Sequence, residues 1–207
     1  MNYPRYSNED VQKRIVRFDE LTREPGTTLM FIDSVLPRHM RMNYAIIGDT
    51  ASENPDFKPA ITGPHKFQIG LFMCPPMSGP AYHTHDYIEL FMPLSGEWRF
   101  YWGNDPEGEP EGEAVLKPKD MISMLPGLWR GFENISSEDA WCFAALEPHE
   151  VFTGKDPYWS QQVIDQAKEY GFLADERGKM IKPVNYEEQK KYVEDVLLHR
   201  VPSPIQK

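Results

Sequence analysis

Three residues in the stretch HTHDYIE have side chains that could bind one metal ion: His83, His85 and Glu89. Side chains alternate between the two faces of a β-strand, so the two histidines should point the same way. Glu89 joins them if the strand continues or if a turn brings it back. Two imidazoles and one carboxylate are the ligands of non-haem Fe(II) oxygenases, which keep coordination positions open for substrate and oxygen. The alternative is two exposed strand histidines beside a solvated glutamate.

The composition limits the classes of partner. A chain of 207 residues is long enough for one domain with extensions and a substantial core. Its net charge is −10, and it has no long run of lysine or arginine, so we expect neither nucleic acid nor an anionic membrane as a partner. Part of the acidic excess lies in PEGEPEGE, residues 106–113, which we predict to be a solvated loop.

The N-terminus and the cysteines indicate a cellular compartment. The first residues, MNYPRYSNEDVQKR, lack the apolar run of a signal peptide, and no stretch of eighteen apolar residues occurs. Cys74 and Cys142 cannot build a disulfide framework, so we expect a reducing, cytoplasmic location. Both cysteines lie in apolar strand-like segments, where they should act as small hydrophobic residues.

Short strands dominate the middle of the sequence. Residues 27–36 and 42–48 are rich in β-branched and aromatic residues, and 49–65 is predicted to be a loop. From 66 to 147, closely spaced strands are separated by Gly, Pro, Asn or Asp. This rhythm predicts an antiparallel barrel or sandwich rather than alternating strands and helices.

Helices are predicted at both ends, which divides the chain into an N-terminal helical arm (1–26), a barrel (27–150) and a C-terminal helical extension (151–207). In the arm, Ser7 and Asp10 have capping-box spacing, and an apolar stripe follows at Val11, Ile15 and Phe18. Two C-terminal helices are predicted. The first has an apolar face at Trp159, Val163, Ala167 and Tyr170 and ends at Gly171; the second has caps at Asn185 and Glu188 and a stripe at Tyr192, Val196 and Leu197. We expect these helices to cover the barrel or a neighbouring subunit.

The histidine segment resembles the first motif of the cupin superfamily, whose barrels are double-sheet jelly rolls. His83, His85, Glu89 and Gly96 match that motif in residue and spacing, whereas Met77 occupies the place of its leading glycine and Gly79 comes two residues later. The resemblance covers about residues 66–147. It implies a mainly β fold, a cupin-type double-stranded β-helix with N-terminal and C-terminal α-helical extensions.

The second cupin motif is matched more loosely. Asp120, Gly127 and Asn134 hold their relative places, and Pro126 comes one residue late. Where the family has its last metal-binding histidine, this chain has Arg130. Arginine stays protonated and offers no lone pair, so it cannot bind a cation.

Arg130 therefore has two interpretations. In the first it faces the interior beside a metal and holds an anionic group of the substrate through two parallel hydrogen bonds. In the second it pairs with an acid such as Glu89, and the barrel binds no metal. Among the other histidines, His65 is the best candidate for a fourth ligand. For all of them we expect a non-ligand role: His39, His65, His149 and His199.

The predicted pocket is aromatic. Phe132 shares strand parity with Arg130, Trp129 adjoins it, and Tyr87 lies between the histidines and Glu89. We expect Arg130 and Tyr87 to act in catalysis, and Arg130, Trp129 and Phe132 to contact the substrate. The aromatic residues of the next strand should be core: Trp98, Phe100 and Trp102.

The resemblance most readily implies an Fe(II) dioxygenase that acts on a small, anionic organic molecule, with Mn²⁺, Ni²⁺ or Zn²⁺ as other possible metals. Cupin isomerases and lyases need the same three ligands, and a non-catalytic ligand-binding cupin is the alternative from another class. We also expect a homodimer, because twofold assemblies dominate soluble oligomers.

Overall fold

The computed structural model forms a barrel from two five-stranded sheets. It describes residues 4–23, 26, 31–34, 36–48, 58–63, 65–147, 157–176 and 178–205. In spatial order, the first sheet consists of β1 (Met42–Ile47), β2 (Gln68–Cys74), β9 (Ala140–Leu146), β4 (Glu89–Pro93) and β7 (Ile122–Met124). The second consists of β10 (Tyr158–Trp159), β3 (His83–Thr84), β8 (Trp129–Asn134), β5 (Trp98–Gly103) and β6 (Gly112–Leu116).

The order of these strands along the chain is that of a jelly roll. Every pairing within the two sheets is antiparallel. From β2 to β5, and again from β6 to β10, successive strands alternate between the first and the second sheet, so the chain winds around the barrel. The predicted fold, a cupin-type double-stranded β-helix, is confirmed.

The interior is filled by alternate residues of the strands. Along β5, the fully buried Trp98 and Phe100 alternate with Arg99 and Tyr101, which point outward. The rings of Phe100 and Phe132 lie 5.0 Å apart across the β5–β8 pairing. Rings from the first sheet complete this aromatic core, with Phe72 and Phe91 both in contact with Phe132.

The segment between β2 and the histidine strand β3 contains two residues with special backbone requirements. Met77, at the position of the missing cupin glycine, has a φ of 60°, so it adopts the left-handed conformation that a glycine would adopt more easily. Gly79 lies against β8 so closely that an added Cβ would lie 1.7 Å from the carbonyl oxygen of Phe132. The displaced glycine therefore has a steric role of its own.

Helices of the C-terminal extension cover the outside of the barrel. They are α3 (Gln161–Glu169) and α4 (Tyr186–Leu197), and a small hairpin of β11 (Leu173–Ala174) and β12 (Met180–Ile181) lies between them. Helix α4 packs against the outer face of β1 and β2 through Val193, Val196 and Leu197. The predicted stripe was wrong at Tyr192, which is exposed. Asn185 is the N-cap, but its side chain makes no capping hydrogen bond.

The N-terminal arm differs from its prediction. Ser7 and Asp10 form the predicted capping box, but α1 (Asn8–Gln12) is short, and α2 (Phe18–Leu21) is separate from it. The predicted apolar stripe is therefore not one helix face, and its residues Val11, Ile15 and Phe18 are all exposed. The strand predicted over 27–36 was also wrong where it can be judged, since Phe31–Ser34 is a 3-10 helix. Residues 27–30 and 35, and the predicted boundary at 150, lie outside the described residues.

The acidic segment 106–113 is more than a solvated loop. The carboxylate of Glu107 accepts hydrogen bonds from the backbone N–H groups of Gln161 and Gln162, at 2.6 and 3.1 Å. A carboxylate at the first turn of a helix satisfies unpaired N–H groups and complements the helix dipole. The loop thus attaches α3 to the barrel.

No helix in the described part of the chain has the length and hydropathy needed to span a bilayer.

Candidate metal site

The three predicted ligands meet where the chain crosses from one sheet to the other. His83 lies in β3 of the second sheet, and Glu89 begins β4 of the first, with His85 in the connection between them. One donor atom from each lies within 4.8 Å of the others, and all three side chains are buried. Glu89 therefore arrives by a turn rather than by continuation of the histidine strand.

His83 is oriented for metal binding by a backbone carbonyl. Its Nδ1 lies 2.6 Å from the carbonyl oxygen of Ala81, so an Nδ1–H donates there and Nε2 keeps its lone pair. Burial lowers the pKa of His83 well below its usual range, and the charges of His85, Arg130 and Arg41 lower it further. A neutral imidazole is the form that can bind a cation.

His85 is held between a ring and a carboxylate. The imidazole stacks on Tyr87, with ring centroids 4.7 Å apart and an interplanar angle of 16°. Its Nε2 lies 3.6 Å from Oε2 of Glu89. Tyr87, predicted to act in catalysis, is thus buried against a candidate ligand.

Arg130 reaches Glu89 across the barrel. In β8 its Cα pairs with that of His83, and its Nη2 donates to Oε2 of Glu89 at 3.1 Å. Its Nη1 donates to the carbonyl oxygen of Leu128 at 3.0 Å, and its Nε is buried without a hydrogen-bond partner. With both terminal nitrogens engaged, Nε is the unpaired donor that the fully buried guanidinium retains.

The donor set fits a divalent ion. Ligand distances of about 2.1 Å place neighbouring donors about 3.0 Å apart in an octahedral site and about 3.4 Å apart in a tetrahedral one. The 3.6 Å between His85 and Glu89 is close to these values, and small side-chain rotations would shorten the longest separation of 4.8 Å. Two nitrogens and one oxygen from buried, oriented side chains could therefore hold a metal ion.

The aromatic residues predicted for the pocket separate into two environments. Phe132 points inward with Arg130, but it is 1% exposed and packed among Phe91, Phe100 and other rings. Trp129 has the opposite strand parity, and its ring lies 6.0 Å from that of Tyr82. The structure thus brings Phe132, but not Trp129, to the face of β8 that carries Arg130.

The other described histidines lie elsewhere. His65 is next to Arg14, with 2.6 Å between the imidazole Nε2 and the guanidinium Nη2. His39 contacts the carbonyl oxygen of Gly79, and His199 pairs with Asp139. His149 lies outside the described residues. In the described part of the chain, only His83, His85 and Glu89 form a group that could hold a metal.

Sequence reasoning missed a buried polar cluster near the start of β1, which consists of Asp33, Arg41 and Asn43. Arg41 donates to Oδ2 of Asp33 from both Nε and Nη2, at 3.1 and 3.0 Å. Asn43, two residues further along, is 4% exposed. The alternation of Arg41 and Asn43 with the apolar Met42 and Tyr44 could have indicated an inward polar face, but nothing in the sequence placed β1 beside the interior.

The comparisons with known proteins concern the fold. Neither the family models nor the curated proteins include a match. Among solved structures, a candidate sugar phosphate isomerase from Acidithiobacillus ferrooxidans is similar at 18% identity over 68% of this chain and 79% of that one, with a TM-score of 0.49. A structure from work on the DMSP lyases RdDddP and RnDddQII has 14% identity, 59% and 54% coverage, and a TM-score of 0.44.

A third similar structure is the DMSP lyase DddQ from Ruegeria pomeroyi, at 16% identity and a TM-score of 0.43. The match covers 58% of this chain and 51% of that one, so this chain spans about half the length of the lyases. Similarities at this level assign no activity. Strand topology and the histidine motif define the class: a cupin-type jelly-roll barrel with a buried group that could bind a metal ion.

Proposed function

We propose that this protein is a metal-dependent cupin enzyme that acts on a small anionic organic molecule. The observation that carries the proposal is the convergence of His83, His85 and Glu89 to within 4.8 Å inside the barrel. A divalent ion held there would supply Lewis acidity and a template for the substrate. Fe²⁺ is our first choice because this ligand set suits it, with Mn²⁺, Ni²⁺ and Zn²⁺ as alternatives.

The roles of the protein side chains follow from their contacts. The hydrogen bond from His83 to Ala81 keeps Nε2 directed at the site. The Nε–H of Arg130 is the free donor for a substrate anion, and the positive charge of the guanidinium strengthens that bond. The aromatic residues packed around Phe132 close the barrel beneath the three candidate ligands and exclude water there. The absence of water strengthens these polar interactions. We propose Tyr87 as a further contributor to catalysis, whereas Trp129, on the other face of β8 from Arg130, is left out of the substrate contacts.

The most specific form of the proposal is a dioxygenase. This form of the proposal rests on the ligand set alone. Isomerases and lyases of this superfamily use the same three ligands, so the ligand set does not separate the three reaction classes. Oxygen uptake by the Fe²⁺-loaded protein, measured with an oxygen electrode on a panel of small organic acids, distinguishes the classes. Turnover of an acid without oxygen uptake would assign an isomerase or a lyase.

The second candidate is a ligand-binding barrel without metal. The observation that favours it is the ion pair between Arg130 and Glu89, because a carboxylate that is already neutralised attracts a cation less strongly. In this form the protein would be a sensor or storage module, and Nε of Arg130 would still bind an anion.

Metal loading separates the two candidates. The purified chain is incubated with Fe²⁺, Mn²⁺, Ni²⁺ or Zn²⁺, desalted, and analysed by mass spectrometry for metal content. We expect one metal ion per chain in the wild type and in His65→Ala. The metal content should fall to near zero in His83→Ala. Substoichiometric metal under all four conditions would reject the enzyme and leave the binding module.

We further propose a cytoplasmic homodimer. The edge strand β7 is flanked by Met121 and Leu125, which are 64% and 61% exposed, and an exposed apolar edge is a common site of self-association. Light scattering after size exclusion measures the mass; a monomer at micromolar concentration would reject the dimer.

A further inference from the structure

The C-terminal extension adds a strand directly beside the candidate metal ligands. Strand β10 lies at the edge of the second sheet and pairs antiparallel with β3, where Trp159 is the Cα partner of His83. On its other side, His83 is the Cα partner of Arg130 in β8. Directly opposed residues of antiparallel strands share a face of the sheet. Trp159, His83 and Arg130 therefore form one row of side chains on the same face.

The indole of Trp159 packs against the imidazole of His83. Their ring centroids lie 5.8 Å apart at an interplanar angle of 57°, and Trp159 is only 8% exposed. The ring of His85 lies 4.8 Å from that of His83, at an angle of 74°. With Nδ1 bonded to the carbonyl oxygen of Ala81, the His83 ring is held by one hydrogen bond and two neighbouring rings. Of these three constraints, the Trp159 ring is the one that comes from outside residues 81–85.

The hydrogen bond that orients His83 depends on the same hydrophobic cluster as the indole. Ala81, whose carbonyl oxygen accepts that bond, is 0% exposed and packs in one cluster with Trp159. Packing of the C-terminal extension therefore affects both the direction of the Nδ1–H bond and the position of the imidazole. The extension supplies most of the other buried members of this cluster: Val163, Ala167, Phe172, Met180 and Tyr186.

Strand β10 is itself fixed at both ends. The hydroxyl of Tyr158 donates to Oδ2 of Asp86, which follows His85 in the sequence, at 3.0 Å. Ser160 is buried at the N-cap of α3, and its Oγ accepts from the N–H of Val163 at 3.2 Å. Such supporting contacts preorganise a metal site, because they restrict the ligand side chains before the ion binds.

We propose that Trp159 is a positioning residue of the metal site. It holds the imidazole of His83 with Nε2 directed at the ion, so the C-terminal extension is part of the site as well as a cover of the barrel. This role rests on metal binding by His83, His85 and Glu89 in the proposed function. Trp159 acts through His83, because an indole N–H is only a donor and offers no lone pair to a cation. Loss of its ring should therefore loosen one ligand without removing any.

The test measures Zn²⁺ affinity by competition with a chromophoric chelator, and the visible absorption spectrum of the Co²⁺-loaded full chain, which reports ligand geometry. Trp159→Leu removes the ring and should weaken Zn²⁺ binding roughly 10- to 100-fold, the usual effect of losing a group that orients a ligand. Its Co²⁺ bands should differ from those of the wild type. Trp159→Phe keeps an aromatic ring opposite His83 and should recover most of the affinity.

Phe172→Leu is the matched control, because it removes another fully buried ring from the same cluster, at the connection between α3 and β11. It should lower the melting temperature but leave the Zn²⁺ affinity and the Co²⁺ spectrum as in the wild type. All variants are compared at a temperature where circular dichroism shows them folded. If Trp159→Leu does not fold, Trp159→Met provides the same measurement, since an unbranched side chain fills irregular space.

Three outcomes are decisive. Wild-type affinity and spectrum in the folded leucine or methionine variant would overturn the positioning role of Trp159. An equal loss of affinity in Phe172→Leu would also overturn it, because the effect would then follow from general destabilisation of the cluster. Failure of the wild type to bind either Zn²⁺ or Co²⁺ would instead reject the proposed function.

Discussion

Replacement of Arg130 tests the electrostatics of the site. Its Nη2 lies 3.1 Å from Oε2 of Glu89, and a metal bound to that oxygen would be about 2.1 Å away, hence at most about 5.2 Å from Nη2. At an effective dielectric constant near 20, a divalent ion and a guanidinium at that distance repel by about 6 kcal/mol. Even a quarter of this repulsion, about 1.5 kcal/mol, corresponds to a roughly tenfold change in Kd.

We therefore expect Arg130→Met to bind Zn²⁺ at least tenfold more tightly than the wild type. Without metal, the same variant leaves the buried carboxylate of Glu89 without its cation, which should cost about 3–5 kcal/mol of folding stability. Zinc should restore most of this loss, since the ion supplies the missing positive charge.

The assay is competition for Zn²⁺ with a chromophoric chelator, combined with thermal melts in the presence and absence of zinc. Arg99→Met is the matched control, because Arg99 also forms ion pairs, with Glu113 and Glu133, but on the outer face of the barrel. Its zinc affinity should equal that of the wild type. If Arg130→Met binds zinc as weakly as the wild type, or more weakly, the electrostatic reasoning is wrong.

Three further changes have defined outcomes. His85→Ala should no longer retain metal, while its circular dichroism spectrum should remain that of a folded barrel; His65→Ala is the control. A full metal content in His85→Ala would show that His85 is not a ligand. Burial lowers the pKa of His39 to about 4, so the unfolded chain binds the extra proton below pH 6.5. Proton uptake by His39 on unfolding should thus contribute about 2 kcal/mol to the stability, measured by urea denaturation, that the wild type loses between pH 7 and pH 5. His39→Gln should lose less over that range, and an identical loss would contradict this assignment. Glu107→Ala should lower the free energy of unfolding by about 1 kcal/mol, because the first N–H groups of α3 lose their acceptor. Glu109→Ala, the control, should lower it by less; equal effects would argue against the cap.

Much of the candidate site was predictable because it depends on local spacing. His83 and His85 share a face since strand side chains alternate, and that parity holds wherever the strand lies in the fold. The same rule predicted that Phe132 points inward with Arg130. It could also have shown that Trp129, adjacent to Arg130 in sequence, belongs to the other face.

The helices illustrate the limits of periodicity. The capping box at Ser7 formed as predicted, because its hydrogen bonds join residues three positions apart. The apolar stripe at Val11, Ile15 and Phe18 did not become one buried face, because α1 ends at Gln12. Most helical stability comes from tertiary packing rather than from propensity, and this packing is not encoded in local spacing.

By itself, then, the sequence determined which residue types are available, which of them alternate, and that Arg130 cannot bind a metal. Only the tertiary structure decided that Arg130 contacts Glu89 and that Asn43 faces the same interior. The contact between Arg130 and Glu89 joins residues 41 positions apart on opposite sheets, and Asn43 is 87 positions from Arg130 in the sequence. Such contacts follow from how two sheets close into a barrel, and strand order and register are set by the packing of the whole chain rather than by any short segment.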